Sequence, residues 1–533
     1  MHRQSMKSKK HGRKSGRAVK VCGTLVFVLW SAAVASAQAV KTPASTNGNA
    51  LEQRAELNLE AAKTNPLALY HFLLGMPKGS DLHNHLVGAV YAETWIRVAA
   101  EAGVCIEPQV YVLRKRQAEG TCADGQIPAT EALKNQSLYD GLVDAFSMRS
   151  FVPSSGVSGH DHFFSTFDKF RVVDSLRLGD YVDEIVSRAA SQNEQYLELM
   201  HTPSFDRTRL VAEEIGWKDD LAMLRKEILA RGIEQDISRA RAELDETEKV
   251  RTAREHCGQP DATDACQVQV RYLCQVLRGL PKEIVYGQTV FCFELASADP
   301  RYVGINFVMP EDGYVSMTDY TLQMRMTGFL HDLYPKVHIS LHAGELAPGL
   351  VPYEGLCCHI RQAVELAHAE RIGHGVDVMY EDRPHELLRE MAAKHVMVEI
   401  NLTSNDVILG VSGKDHPLPI YRQFQVPVAL STDDEGVSRI DLTHEYVRAT
   451  QTYGFSYAQL KQMVRTGMEH TFLPGASLWA APDSFAHLNA SCSRDLPGAE
   501  KPSVLCREFL RGSEKAAAQW ELERRFRSFE SSL

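Results

Sequence analysis

Strand-like runs alternate with helix-like stretches along residues 77–475, and that alternation leaves the chain few architectures to choose from. The runs are Gly79 to His83, Gln195 to Leu199, Val270 to Val276, Tyr302 to Val308, Lys336 to His342, Arg371 to His374, Val396 to Asn401 and Val426 to Ser431. Helical stretches such as Ile360 to Glu370 and Pro384 to Lys394 separate many of them. Each parallel strand needs a crossover, and eight strand–helix units read as an α/β fold, a (β/α)8 TIM barrel. Such barrels carry their chemistry at the C-terminal ends of the strands, so the residue that ends each run deserves the closest reading.

The rest of the chain reads as extensions and insertions around that barrel. A basic stretch from Arg3 to Lys20 precedes an apolar stretch from Val21 to Val34 and the small-x-small triplet Ala35-Ser36-Ala37. This is the three-part pattern of a secretory signal peptide, and the apolar run is short for a membrane span. The expectation is export to the periplasm or medium, with no stable membrane association after cleavage. The expected organisation is a signal peptide over 1–37, a linker and helical extension over 38–76, the barrel over 77–480 and a C-terminal extension over 481–533. Two stretches exceed a bare barrel: one near 104–160, and one near 223–268 that begins as a charged helical run. Both read as rim insertions, and the charged run reads as a solvated helix.

Composition narrows the function. With 24% charged and 44% hydrophobic residues, the chain is an ordinary globular one, which excludes disordered, collagen-like and coiled-coil classes. Eight Lys and Arg, and no acid, lie in residues 1–37. Removing them from a net charge of −10 leaves the remainder at −18. An acidic body is a poor partner for nucleic acid and suits a small neutral or cationic substrate. Ten cysteines follow the leader. Cys105 with Cys122, Cys257 with Cys266, and Cys492 with Cys506 are close in sequence and are candidate disulfides in an exported protein. Cys274, Cys292, Cys357 and Cys358 sit among apolar residues and read as core thiols. No Cys-x-x-Cys is present, so no thiolate zinc site is indicated.

Polar residues gather at the run ends. His83-Asn84-His85 places two imidazoles on one side of a strand, where both reach one metal ion. His342-Ala343-Gly344-Glu345 joins an inward histidine to a carboxylic acid, a pairing that hydrolytic chemistry uses. Gly373-His374-Gly375 lets the backbone approach a ligand closely. Ser431-Thr432-Asp433-Asp434 sets two carboxylates side by side, an arrangement that a cation or hydrogen bonds must compensate. Asn401 to Asn405 adds neutral hydrogen-bonding groups at the same mouth. Taken singly, each motif also reads as an ordinary turn or helix cap. Their order, at the ends of runs one, five, six and eight, gives three histidines and one aspartate for zinc, with Glu345 and His374 left for proton transfer.

The segments Pro77 to Gly88, His342 to Glu345, Arg371 to Gly375 and Ser431 to Asp434 together resemble the adenosine deaminase family of metal-dependent amidohydrolases. The resemblance runs from about Pro77 to Leu473 and takes in Tyr196-Leu197-Glu198 and the late stretch Thr466 to Leu473. It implies one Zn2+ per chain held by His83, His85, His342 and Asp433. It makes Glu345 the acid that protonates purine N1 and His374 the partner that orients and deprotonates the attacking water. Asp434 becomes the acceptor on the N7 side, and Gly344 offers its backbone to the base. The implied reaction is hydrolytic deamination of adenosine, or deoxyadenosine, to inosine and ammonia.

The resemblance is not complete. Family members usually carry a Gly-x-Asp-Leu-x-Gly-like stretch on the fourth strand, whereas this chain has Gly304-Ile305-Asn306-Phe307-Val308-Met309. Asn306 replaces the aspartate, and Met309 replaces a glycine expected beside the substrate, where its side chain reshapes the pocket. Met200 stands where many relatives have arginine. The leader and the insertion bearing Cys257 and Cys266 are similar to the secreted, growth-factor-related branch, which implies a homodimer formed through helices near 51–74. The alternatives are deamination of another aminopurine or N6-substituted adenine nucleoside, and a nucleoside-binding signalling protein.

Overall fold

The computed structural model describes residues 46–154 and 156–533. The signal peptide and its cleavage site lie outside the described residues. Eight parallel strands form a nearly closed barrel in chain order: β1 (Gly79–His85), β2 (Glu194–His201), β3 (Gln269–Leu277), β4 (Tyr302–Val308), β5 (His338–Ala343), β6 (Arg371–His374), β7 (Met397–Ile400) and β8 (Val428–Leu430). The eight runs read from the sequence are these eight strands, with shifts of a few residues at their ends. A parallel bridge between Asn84 and Asp433 joins the last strand back to the first. Backbone hydrogen bonds flank it, from Asp433 N to His83 O (2.8 Å) and from His85 N to Asp433 O (3.1 Å). Helices surround the strands, as the (β/α)8 reading requires.

The barrel interior is not uniformly apolar. Every residue of β1 is buried, although its sequence is mostly polar. Arg371 at the start of β6 pairs with Glu198 on β2 (2.6 Å) and with Glu399 on β7 (2.7 Å), and all three are sealed from solvent. Tyr196 donates to the same Glu198 (2.7 Å). A buried charge is tolerated when it is paired and hydrogen-bonded, and this chain of partners meets that condition.

The terminal extensions are helical: α1 (Thr46–Ala62) and α2 (Pro66–Gly75) before β1, and Val504–Arg511 with Glu514–Ser532 at the C-terminus. Asn65 caps α2 through Leu67 N (2.9 Å), with proline at the first helical position. Lys78, buried just before β1, donates to the carbonyls of Leu73 (2.6 Å), Met76 (3.1 Å) and Gln192 (2.7 Å). It thereby satisfies carbonyls left open at the end of α2 and ties that helix to the barrel.

The first rim insertion contains a three-stranded antiparallel sheet, Cys105–Glu107 between Val112–Arg114 and Ile127–Pro128. The charged run is more than a solvated helix. Within Glu234–Arg254, the residues Asp236, Ala240, Leu244, Thr247 and Arg251 recur at helical spacing and are buried. The three expected disulfides form. Cys274 pairs with Cys292, and Cys357 with its neighbour Cys358, which corrects the reading of all four as core thiols. A strand lies too close to its following helix for apolar context to separate a free thiol from a bonded one. The hairpin of Trp479–Ala481 and Ser484–Leu488 was not expected either. Among the described residues, no helix is long and apolar enough to cross a membrane.

Candidate functional site

Four side chains converge where the barrel closes. His83 and His85, two apart on β1, present rings whose centroids are 5.3 Å apart. His342 on β5 places Nε2 3.1 Å from Nε2 of His85. Asp433, immediately beyond β8, places Oδ1 3.1 Å from His85 Nε2 and 3.4 Å from His83 Nε2. All four are buried. Asp433 holds a left-handed backbone (φ +65°), as does His374 (φ +68°). Non-glycine residues adopt that conformation at a cost, and such residues concentrate at functional sites.

The donor set fits a metal ion. His83 Nε2 is buried and makes no hydrogen bond among the described residues, and three imidazole nitrogens with the carboxylates of Asp433 and Glu399 crowd one buried space. A cation in their midst resolves both facts, and three nitrogens with one oxygen suit a zinc-like ion. The outer ring nitrogens of His83 and His342 are held as metal ligands require. Nδ1 of His83 donates to Glu399 (2.7 Å) and Nδ1 of His342 to Asn306 (2.6 Å), while the Gln275 amide lies 2.6 Å from Nδ1 of His85. Asn306, noted in the sequence only as a departure, therefore has a partner on the metal side. Glu399 and Gln275 were missed. The available signal for Glu399 was a lone acid inside the apolar run Val396 to Ile400.

Glu345 and His374 lie beside the four. His374 Nε2 is 3.8 Å from Glu345 Oε1 and 4.0 Å from Asp433 Oδ2. Burial raises the Glu345 carboxyl well above its usual range, and the nearby Asp433 and Glu311 carboxylates add to it. Burial holds His374 down to about 3. Asp434 is buried with Oδ1 free of any hydrogen bond among the described residues, and burial with the adjacent Asp433 pushes its carboxyl up. A β-carbon on Gly88 would collide with that carboxylate, so glycine in the loop after β1 makes room for Asp434.

The loop carrying Glu345 is anchored from behind. Glu311, in the loop after β4, accepts the backbone N–H of Gly344 (3.0 Å) and of Glu345 (2.8 Å) and meets His359 Nδ1 at 2.5 Å. The Gly344 carbonyl accepts from Val376 (2.8 Å) and Asp377 (3.2 Å). Gly344 was expected to offer its backbone to the base, but both groups are already engaged. Its contribution is conformational: φ is +75°, and a β-carbon would meet Asp377 and Ile360. Met309 follows β4 with φ +92° and is partly exposed, and its side chain covers Gly279 at the end of β3.

Residues 160–478 match the family model described as adenosine deaminase. An adenosine deaminase of Shewanella loihica is 37% identical over 136 residues, which is 25% of this chain and 38% of that protein. An adenosine deaminase of Clostridium perfringens is 29% identical over 187 residues, 35% of this chain and 48% of that one. The matches thus span less than half the length of these curated relatives. The crystal structure of Arabidopsis ADAL complexed with IMP shares the fold at 20% identity and a TM-score of 0.50, covering 75% of this chain and 94% of that one.

Proposed function

The chain belongs to the adenosine deaminase family, and from that premise we propose that it is a zinc-dependent aminohydrolase that converts adenosine and water to inosine and ammonia. The convergence of His83, His85, His342 and Asp433 beside Glu345 and His374 carries this reading. Those four residues would hold the ion. Zinc held there supplies Lewis acidity that makes hydroxide available near neutral pH.

The remaining residues divide the work on the substrate. Attack at C6 builds negative charge on the ring, which a proton delivered to N1 absorbs, and Glu345 is the buried acid beside the cluster. His374 faces the same space and orients the attacking water. N7 carries a lone pair, so Asp434 would meet it as a hydrogen-bond donor, not as the acceptor the sequence led us to expect. A second reading keeps the chemistry and changes the substrate to another aminopurine or an N6-substituted adenine nucleoside. Met309 favours it, because a side chain occupies a left-handed position that suits glycine. The leader-like N-terminus supports a reading of export to the periplasm or medium, and the resemblance supports a homodimer formed through the helices near 51–74.

An ultraviolet assay tests the proposal. Purified mature protein with zinc should convert the adenosine band to the inosine band, lose that activity to a chelator and regain it with zinc. Glu345→Gln should keep the metal and lose roughly 10³-fold in kcat. An inert protein with zinc bound would favour the second reading, to be tried on a panel of aminopurines. A Glu345→Gln variant that remains active would overturn the assignment of the acid.

A further inference from the structure

We propose that Asn405 and His416 are positioning residues that hold His374 with its proton on Nε2, so that the ring presents a hydrogen-bond donor to the reaction centre. The proposal rests on the active-site reading above and alters what His374 does within it. A donor-only group starts the chain. The backbone N–H of Leu418 meets Nδ1 of His416 at 3.1 Å. An amide N–H can only donate, so Nδ1 of His416 holds a lone pair and its proton sits on Nε2. Burial holds this imidazole down to about 4, with Arg448 adding to the shift, so the ring is neutral.

Nε2 of His416 is 2.9 Å from Oδ1 of Asn405. A donor there settles which end of the amide is oxygen and turns its NH2 toward His374, whose Nδ1 is 2.8 Å from Asn405 Nδ2. Nδ1 of His374 is therefore an acceptor. Asn401 does not alter this, since its Nδ2 lies 3.5 Å from both ring nitrogens, over the ring and not at one edge. Turning the Asn405 amide would set two donors against each other at His416, and relieving that clash would set two against each other at Leu418. The three side chains in this relay are buried, as is Leu418, so no solvent enters to reverse the order.

With Nδ1 as an acceptor, the His374 ring carries its proton on Nε2, the nitrogen facing Glu345 and Asp433. A ring in that state orients an oxygen and stabilises charge developing on it. It does not remove a proton through that nitrogen, which departs from the deprotonating role expected from the sequence. This ordering depends on residues 405 and 416, outside the segments by which the active site was recognised.

Neutron diffraction from crystals of the zinc-loaded protein grown in deuterated solvent tests it. Deuterium is expected on Nε2 of both His374 and His416, with none on Nδ1 of His374. Deuterium on His374 Nδ1 would overturn the proposal, and this readout does not depend on which nucleoside is turned over. Kinetics supply the second arm. In Asn405→Asp, a carboxylate faces Nδ1 and draws the proton to it, so kcat should fall roughly 10²-fold with zinc content and KM nearly unchanged. In His416→Gln, an amide donor still reaches Asn405, and kcat should stay within about threefold. A fully active Asn405→Asp variant would overturn the proposal.

Discussion

Glu399 shows how much one buried side chain settles. One oxygen accepts from Nδ1 of His83, while the other receives Ser340 (2.9 Å) and Arg371 (2.7 Å). The carboxylate keeps its charge, since its burial is outweighed by Arg371 and His83, and it would hold His83 with Nε2 toward a bound ion. Glu399→Gln should fold and weaken zinc binding by about 10–100-fold, measured by competition with a calibrated chelator. Unchanged affinity would show that Glu399 serves the barrel interior alone. The ligand residues were legible because each ended a strand-like run among polar neighbours. Glu399 and Gln275 were not assigned roles, and Asn405 was noted only as a hydrogen-bonding group at the mouth, because a hydrogen-bond partner is defined by the segment opposite and its identity emerges only with register. The same limit applied to Asp434, where composition gave the carboxyl but not the state in which it meets a base.

At the level of elements, the strands were read nearly to their ends and the loops were not. The loop from His342 to Glu345 owes its shape to Glu311 in the loop after β4, and no local pattern links the two. Burial alone would raise the Glu311 carboxyl. The hydrogen bond and charge of His359, the charge of Arg278 and the backbone donors outweigh it and bring it to about 2. The folded value thus lies below the ordinary 4.5. Its contribution to stability is complete above about pH 4.5 and disappears as the pH falls toward 2, at most about 3 kcal/mol. Glu311→Gln should therefore be less stable than the parent at pH 7 and lose less between pH 4.5 and 2. Urea titrations across that window measure the difference, and parallel curves would refute it. The helix Glu234–Arg254 teaches a related lesson: its charges suggested a solvated surface, while its buried positions depend on what lies beneath.

On the scale of the whole molecule, both terminal extensions brace the barrel. Lys461 joins Glu52 of α1 (3.1 Å) to Glu530 of the last helix (2.6 Å), and Arg465 holds Glu523 (2.7 Å). The sequence marked these regions as helical, but their partners lie far along the chain, 409 residues from Glu52 and 58 to 69 from Glu523 and Glu530. The seam between β1 and β8 extends that point. Asp81 and Thr432, joined across it, are 351 residues apart along the chain. Bringing such distant segments together costs on the order of 5 kcal/mol of chain entropy. Two of the proposed ligands stand on one side of the seam and a third on the other, so a bound ion would act as a clasp on the loop that closes the barrel. Withdrawing it should loosen this edge before any other part of the barrel. Amide hydrogen exchange at His85 and Asp433 is expected to quicken in the metal-free protein while that of β3 and β4 holds. The ion would then govern when the protein finishes assembling as well as what it does afterwards, and a chain that meets its metal late would wait with its barrel ajar.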